Sequence, residues 1–156
     1  MLRRLATVAV LLFVSLSALA FDFRSVSWMM SRDQVVAAEA GSIMSEHGFG
    51  GQQELLYQTS LNGYSGSLSY TLENDRLVAA AFSFPGDYHG ELFQFLKGTL
   101  TSQYGPPTFQ TDRLVGWRMS RTEIALAFVS GRVCHLSYWE KTYFARINGL
   151  PPGTAR

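Results

Sequence analysis

Histidine is the residue type in this chain best suited to bind a metal or to transfer protons near neutral pH. The three histidines are His47, His89 and His135. No two of them have the i, i+4 or short-loop spacing with which local structure brings metal ligands together. The sequence therefore predicts no catalytic residue, no metal site and no cofactor. A hydrolase or metal-dependent enzyme whose site assembles only in three dimensions is the alternative.

Serine and glycine motifs do not supply a catalytic signature either. A hydrolase elbow needs Gly-x-Ser-x-Gly, which the sequence lacks. Gly48-Phe49-Gly50-Gly51 is rich in glycine, but no Lys-Ser or Lys-Thr follows it, so it is not a phosphate-binding loop. It is interpreted as part of a flexible connection over residues 41–52.

Cys134 is the only cysteine, so the chain cannot form an internal disulfide. It lies in a strand-like run, Val133-Cys134-His135-Leu136, which favours an inert buried thiol. A reactive or intermolecular thiol is the alternative, but the sequence places no evident base or cation beside Cys134.

The first twenty residues have the three parts of a secretory signal peptide in the usual order. Met1-Leu2-Arg3-Arg4 is positive, residues 5–16 are apolar and uncharged, and Ala18-Leu19-Ala20 is a small-x-small cleavage site. The apolar stretch is shorter than the roughly 20 residues that span a bilayer. We predict cleavage before Phe21 and a periplasmic or secreted mature chain, with an uncleaved anchor as the alternative. Phe21 is not a cysteine, so lipid attachment is not expected.

Composition restricts the partner of the mature chain. Removing residues 1–20 takes away Arg3 and Arg4 and no acid, so 11 of the 13 basic residues remain against 12 acidic ones. A formal charge of −1 argues against nucleic acid or an anionic membrane as the main partner. Residues 21–156 are expected to form a single α+β domain.

Two helices and two sets of strands follow from the periodicity. Ser31-Arg32-Asp33-Gln34 is a capping box, which predicts a short helix ending near Gly41. A second helix is predicted from an apolar residue at every fourth position, and Gly105 ends it. Tyr88, Phe95 and Tyr104 are assigned to its buried stripe.

Alternating patterns predict strands near residues 54–61, 67–72 and 77–84, and again over 114–120, 123–129 and 132–139. The order is helix, three strands, helix, three strands, and the similar design of the two hairpins suggests an internal duplication. It favours one antiparallel sheet with the helices packed on one face.

Strand register divides the side chains between two faces. Pairing Leu72 with Val78, and Phe128 with Cys134, collects the large apolar residues on one face and gives both hairpins a bulged, odd-numbered loop. The opposite, helix-free face collects small and polar side chains with one large ring. Its candidate partner-binding residues are Ser69, Thr71, His135, Ser137 and Trp139.

Trp139 is the strongest of these candidates, because an exposed ring on a polar background buries much area at low entropic cost. The alternative is that Trp139 covers the sheet edge or packs under Tyr143-Phe144. Small side chains around it form a shallow wall rather than a ligand pocket, which favours a protein partner.

The region around the first helix resembles a family pattern. Trp28-Met29-Met30-Ser31-Arg32-Asp33-Gln34-Val35 is similar to the "W-G-M-S-x-x-E-V" helix opening of small exported bacterial proteins, and Leu61-Asn62-Gly63-Tyr64, Leu68-Ser69-Tyr70, Tyr104-Gly105-Pro106-Pro107 and Trp117 resemble the rest of it. The architecture is similar to the β-lactamase inhibitor protein fold and, more distantly, to the SmpA/OmlA (BamE) outer-membrane assembly lipoproteins.

The resemblance implies an exported chain with helices covering one side of a sheet. Met29 stands where the pattern has glycine, the lipid-bearing cysteine is absent, and the disulfides of the inhibitor proteins cannot form. Their activities are not carried over, since function belongs to sites rather than folds. We expect a non-enzymatic binding module that uses the helix-free sheet face. An accessory of envelope assembly is a further alternative.

Overall fold

The computed structural model describes residues 22–150. The predicted signal peptide, residues 1–20, and its cleavage site at Phe21 lie outside the described residues. The helices are α1 Arg32–Ala38, α2 Glu91–Tyr104 and α3 Lys141–Ile147. The strands are β1 Ile43–Phe49, β2 Gln52–Leu61, β3 Tyr64–Glu73, β4 Arg76–Pro85, β5 Phe109–Gln110, β6 Leu114–Arg118, β7 Thr122–Val129 and β8 Val133–Glu140.

All eight strands form one antiparallel sheet in the order β1-β2-β3-β4-β8-β7-β6-β5. The α+β class and the single antiparallel sheet are confirmed. The expected three-strand units are wrong: each half is a helix followed by four strands, and β4 pairs with β8 to join the halves.

The extra strand of the first half lies in the segment interpreted as a flexible connection. Residues 43–49 pair with β2 as an edge strand, and Gly50 and Gly51 form the turn between them with φ of 59° and 84°. Two successive positive φ values are typical of the tight turn of a β-hairpin. The glycines are therefore hairpin residues, and the prediction of a linker was wrong.

The two helix signals were confirmed in part. Ser31 and Gln34 form both hydrogen bonds of the capping box at the start of α1. Gly105, at φ 84°, caps the end of α2. Tyr88 and Phe95 are not in the core, however, since they are 68% and 48% exposed.

The position of Asp87 explains why Tyr88 lies outside α2. Its buried carboxylate accepts hydrogen bonds from the backbone N–H groups of Leu92 and Phe93, so the helix begins at Glu91, after Tyr88. Phe93, rather than the predicted Phe95, is the buried aromatic residue beside the apolar stripe of α2. The centroid of its ring lies 5.9 Å from that of Phe128.

The register of the second hairpin is as predicted, with Phe128 opposite Cys134. In the first hairpin Tyr70 pairs with Ala80 as the predicted register requires, but Leu72 pairs with Leu77 because a bulge interrupts the ladder next to Thr71. The bulge moves Val78 out of the main core into a second cluster.

The main core lies between α1, α2 and one face of the sheet, and residues 23–28 pack into it. The buried indole Nε1 of Trp28 donates to the hydroxyl of Thr122 at 2.9 Å. Gly66 allows the Phe84 ring to lie over β3, because a Cβ there would come within 2.5 Å of that ring. The expectation that helices cover one face only is wrong, since Tyr143 of α3 packs with Val78 in the second cluster on the other side.

Candidate functional site

The five candidate residues share the sheet face opposite the main core, which we call the outer face. Ser69 and Ser137 flank Ala81 in one row across the sheet, and Thr71 and Trp139 flank Ala79 in the next. His135 lies opposite Ser83 in a third row. The structure thus brings all five candidates onto one surface, as the period of two requires.

Helix α3 covers one end of the outer face. Trp139 packs against the second cluster, formed by Val78, Ala79 and Tyr143, and its ring centroid lies 5.3 Å from that of Phe144. Trp139 therefore adopts the packing that the sequence offered as the alternative to a free binding residue. Trp139 therefore lies at the boundary between the part of the outer face covered by α3 and the part left open.

His135 and Ser137 line the centre of the outer face. Ser137 is buried among neighbouring small side chains, and His135 is half-buried. Burial lowers the pKa of His135 below its ordinary value of 6.5, so its imidazole is neutral at pH 7. A neutral imidazole offers one hydrogen-bond donor and one acceptor to a partner.

Glu123 is a site residue that sequence reasoning missed. It pairs with Trp139 across β7 and β8, and its side chain is only 7% exposed. Burial raises the pKa of Glu123 above its ordinary value. The positive charges of Arg118, whose guanidinium lies 3.5 Å from the carboxylate, and of Lys141 oppose this rise in part. The signal was present in the alternation of β7, which places residue 123 on the outer face.

Three exposed apolar residues on the outer face were also missed: Phe109, Leu114 and Val129. Leu114 pairs with Ala127, and Val129 is two residues further along the same face of β7. The Phe109 ring packs closely on Gly116, where a Cβ would come within 2.0 Å of it. The sequence signal was that β6 has apolar residues on both of its faces, with Leu114 next to the buried Val115.

The residues of possible chemistry are dispersed. His47 lies on β1, His89 in the turn before α2, and His135 on β8. Within residues 22–150 no group of three His, Cys, Asp or Glu side chains could hold a metal ion. Cys134 is buried, and burial with the nearby Asp87 carboxylate raises its pKa to about 12, so it is a thiol at neutral pH.

Two adjoining cavities of about 340 and 370 Å³ lie on the helix side of the sheet, between residues 22–24 and the end of α2. Tyr138 lines one of them, and burial raises its pKa, so the phenol stays protonated. The carboxylate of Asp22 already accepts from the Trp28 N–H and pairs with Arg121 at 3.3 Å. Both contacts involve the same oxygen, Oδ2, of the Asp22 carboxylate.

No helix in the described part of the chain is long and apolar enough to cross a membrane. The fold and surface thus define an α+β chain with an eight-stranded antiparallel sheet and a partly open outer face. Comparisons with family models, with curated proteins and with solved structures give no match.

Proposed function

We propose that the mature chain is an exported, non-enzymatic binding module that contacts a protein partner through the open part of its outer face. The observation that carries this proposal is the exposure of Phe109, Leu114 and Val129 on one region of the outer face. Exposed large apolar side chains grouped on one surface are typical of interaction sites.

The surroundings of these three residues favour a protein over a small molecule. Small side chains such as Ala125 and Ala127 lie between them and the central His135, which favours a broad, shallow surface. A protein partner can bury an apolar patch of this kind while polar groups at its rim fix the orientation. Ser69 and Thr71 supply such groups on the far side of β4.

Export and the family resemblance support the same proposal. Met29, at the position of the pattern's glycine, has φ of 71°, a left-handed conformation that favours glycine. The helix-and-four-strand composition of both halves favours an origin by duplication. Cleavage before Phe21 would place the chain in the periplasm or the medium.

The test is a comparison of three mature proteins as affinity baits in periplasmic extract. Wild type and Tyr88→Ser should capture the same protein, whereas Leu114→Ser/Val129→Ser should lose it. All three substituted side chains are exposed, so the fold should persist, which thermal melts check. Equal capture by all baits would refute the proposed face, and capture of outer-membrane complexes would instead favour an accessory of envelope assembly.

A further inference from the structure

A separate cavity of about 340 Å³ opens on the outer face beside edge strand β1. It is lined by His47, Phe49, Gln52, Glu54 and Thr71, together with Gly48 and Gln53. Of these residues only Thr71 belonged to the candidates drawn from the sequence. The cavity is at the small end of the range for sites that hold a ligand group.

An aromatic ring forms one wall of this cavity. Phe49 is 92% exposed although it belongs to a strand. The turn that follows it is fixed to the next hairpin, because the Asn74 N–H donates to the carbonyl of Gly51 at 2.8 Å. The Phe49 ring is thus presented by two joined hairpins, with its π-face available.

The other walls are rich in hydrogen-bond acceptors. Glu54 has no ion pair within residues 22–150, whereas the neighbouring acids do: Glu46 pairs with Arg32, and Glu73 pairs with Arg146. The Gln52 amide donates to the Tyr143 hydroxyl of α3 at 3.4 Å, which uses one of its two N–H groups and leaves its carbonyl oxygen to accept. The cavity therefore combines a free carboxylate with neutral acceptors and an aromatic ring.

We propose that this cavity binds the guanidinium of an arginine side chain on the protein partner, an inference that rests on the proposed function. A planar guanidinium stacks on an aromatic face and presents several N–H donors to a carboxylate and to neutral acceptors. Phe49 supplies the face, Glu54 the counter-charge, and Gln52 and Thr71 further acceptors. Buried arginine is also among the residue types that dominate binding energy in protein interfaces.

The experiment titrates the mature protein with N-acetyl-arginine amide and, separately, with the neutral isostere N-acetyl-citrulline amide, followed by amide NMR shifts. The arginine compound should shift the amides of residues 47–54 and of Thr71, and the citrulline compound should not. Glu54→Gln and Phe49→Leu should each weaken the arginine titration about three- to fivefold, since an exposed ion pair or cation–π contact contributes up to about 1 kcal/mol. Phe49→Leu keeps the apolar bulk and removes the π-face.

Asp112→Asn is the matched control, because it removes one exposed carboxylate outside the cavity and should leave the titration unchanged. Equal shifts from both compounds, shifts elsewhere, or no shifts at residues 47–54 would each overturn the inference. Leu114→Ser/Val129→Ser should titrate like wild type. A partner captured normally by a protein that ignores arginine would therefore refute this inference alone, and the reverse pattern would refute the proposed face alone.

Discussion

Replacing Trp139 by alanine tests whether this ring belongs to the fold or to the binding surface. At a fully buried position, a Trp→Ala change lowers the free energy of unfolding by about 3–5 kcal/mol. Trp139 is half-buried, against Val78, Ala79, Tyr143 and the Phe144 ring, so we expect a loss of about 2 kcal/mol. In a chain of this size that loss lowers Tm by roughly 6–10 °C.

The effect should be concentrated in α3. A seven-residue helix is not stable without packing, and its detachment would free the N–H of Leu150, which donates to the carbonyl of Ala145 at 2.8 Å. Thermal melts with hydrogen exchange at this amide are the assay, and Tyr88→Ala, an exposed aromatic elsewhere, is the control. A Trp139→Ala variant that melts within about 2 °C of wild type with unchanged exchange would contradict the packing argument.

Changes at four further positions separate other contributions. Burial lowers the pKa of His135 in the folded chain, so on acidification the unfolded chain binds a proton at this histidine at a higher pH than the folded chain does. The free energy of unfolding should therefore fall as the pH drops below about 6.5. The urea midpoints of His135→Gln at pH 7.5 and 5.5 should differ less than those of wild type. Thr122→Val removes the buried acceptor of the Trp28 indole and should cost about 1–3 kcal/mol in urea unfolding, whereas Thr122→Ser should recover most of it. Gly66→Ala should cost about 1–3 kcal/mol or more, because its Cβ would lie 2.4 Å from a carbonyl oxygen of β4. Gly98→Ala, in open space on α2, should instead stabilise by up to about 1 kcal/mol in the same assay.

Local patterns predicted those parts of the fold that local interactions determine. The capping box at Ser31 and the pairing of Phe128 with Cys134 depend on a few adjacent residues, and both were confirmed. Strand β1 was missed because Gly48 within it and the glycines on either side of it are typical of loops, while its strand conformation depends on pairing with β2. Helix α3 follows β8 without a break, and its start depends on the Glu140 side chain accepting from the Tyr143 N–H.

The outer face was predicted from the period of two, which fixes the side of each strand residue whatever the tertiary structure. The part of that face left uncovered could not be predicted in this way, because it depends on where α3 packs. For the same reason Trp139 was named a binding residue, although its surroundings are those of a packed one. Phe109 lies in a two-residue strand that is too short to produce a periodic signal.

The pairing of β4 with β8 has a consequence for how the chain folds. Ala79 pairs with Trp139 in the middle of the sheet, and β4 and β8 are the only paired strands of the described sheet that do not follow one another along the chain. Until β8 has formed, an N-terminal half that has already folded carries the open apolar edge of β4. At high protein concentration that edge can also accept β8 of a second molecule, so exchange of halves between copies is expected to compete with correct refolding. When chains fold at low local concentration, as during translocation across a membrane, β4 pairs instead with β8 of the same chain.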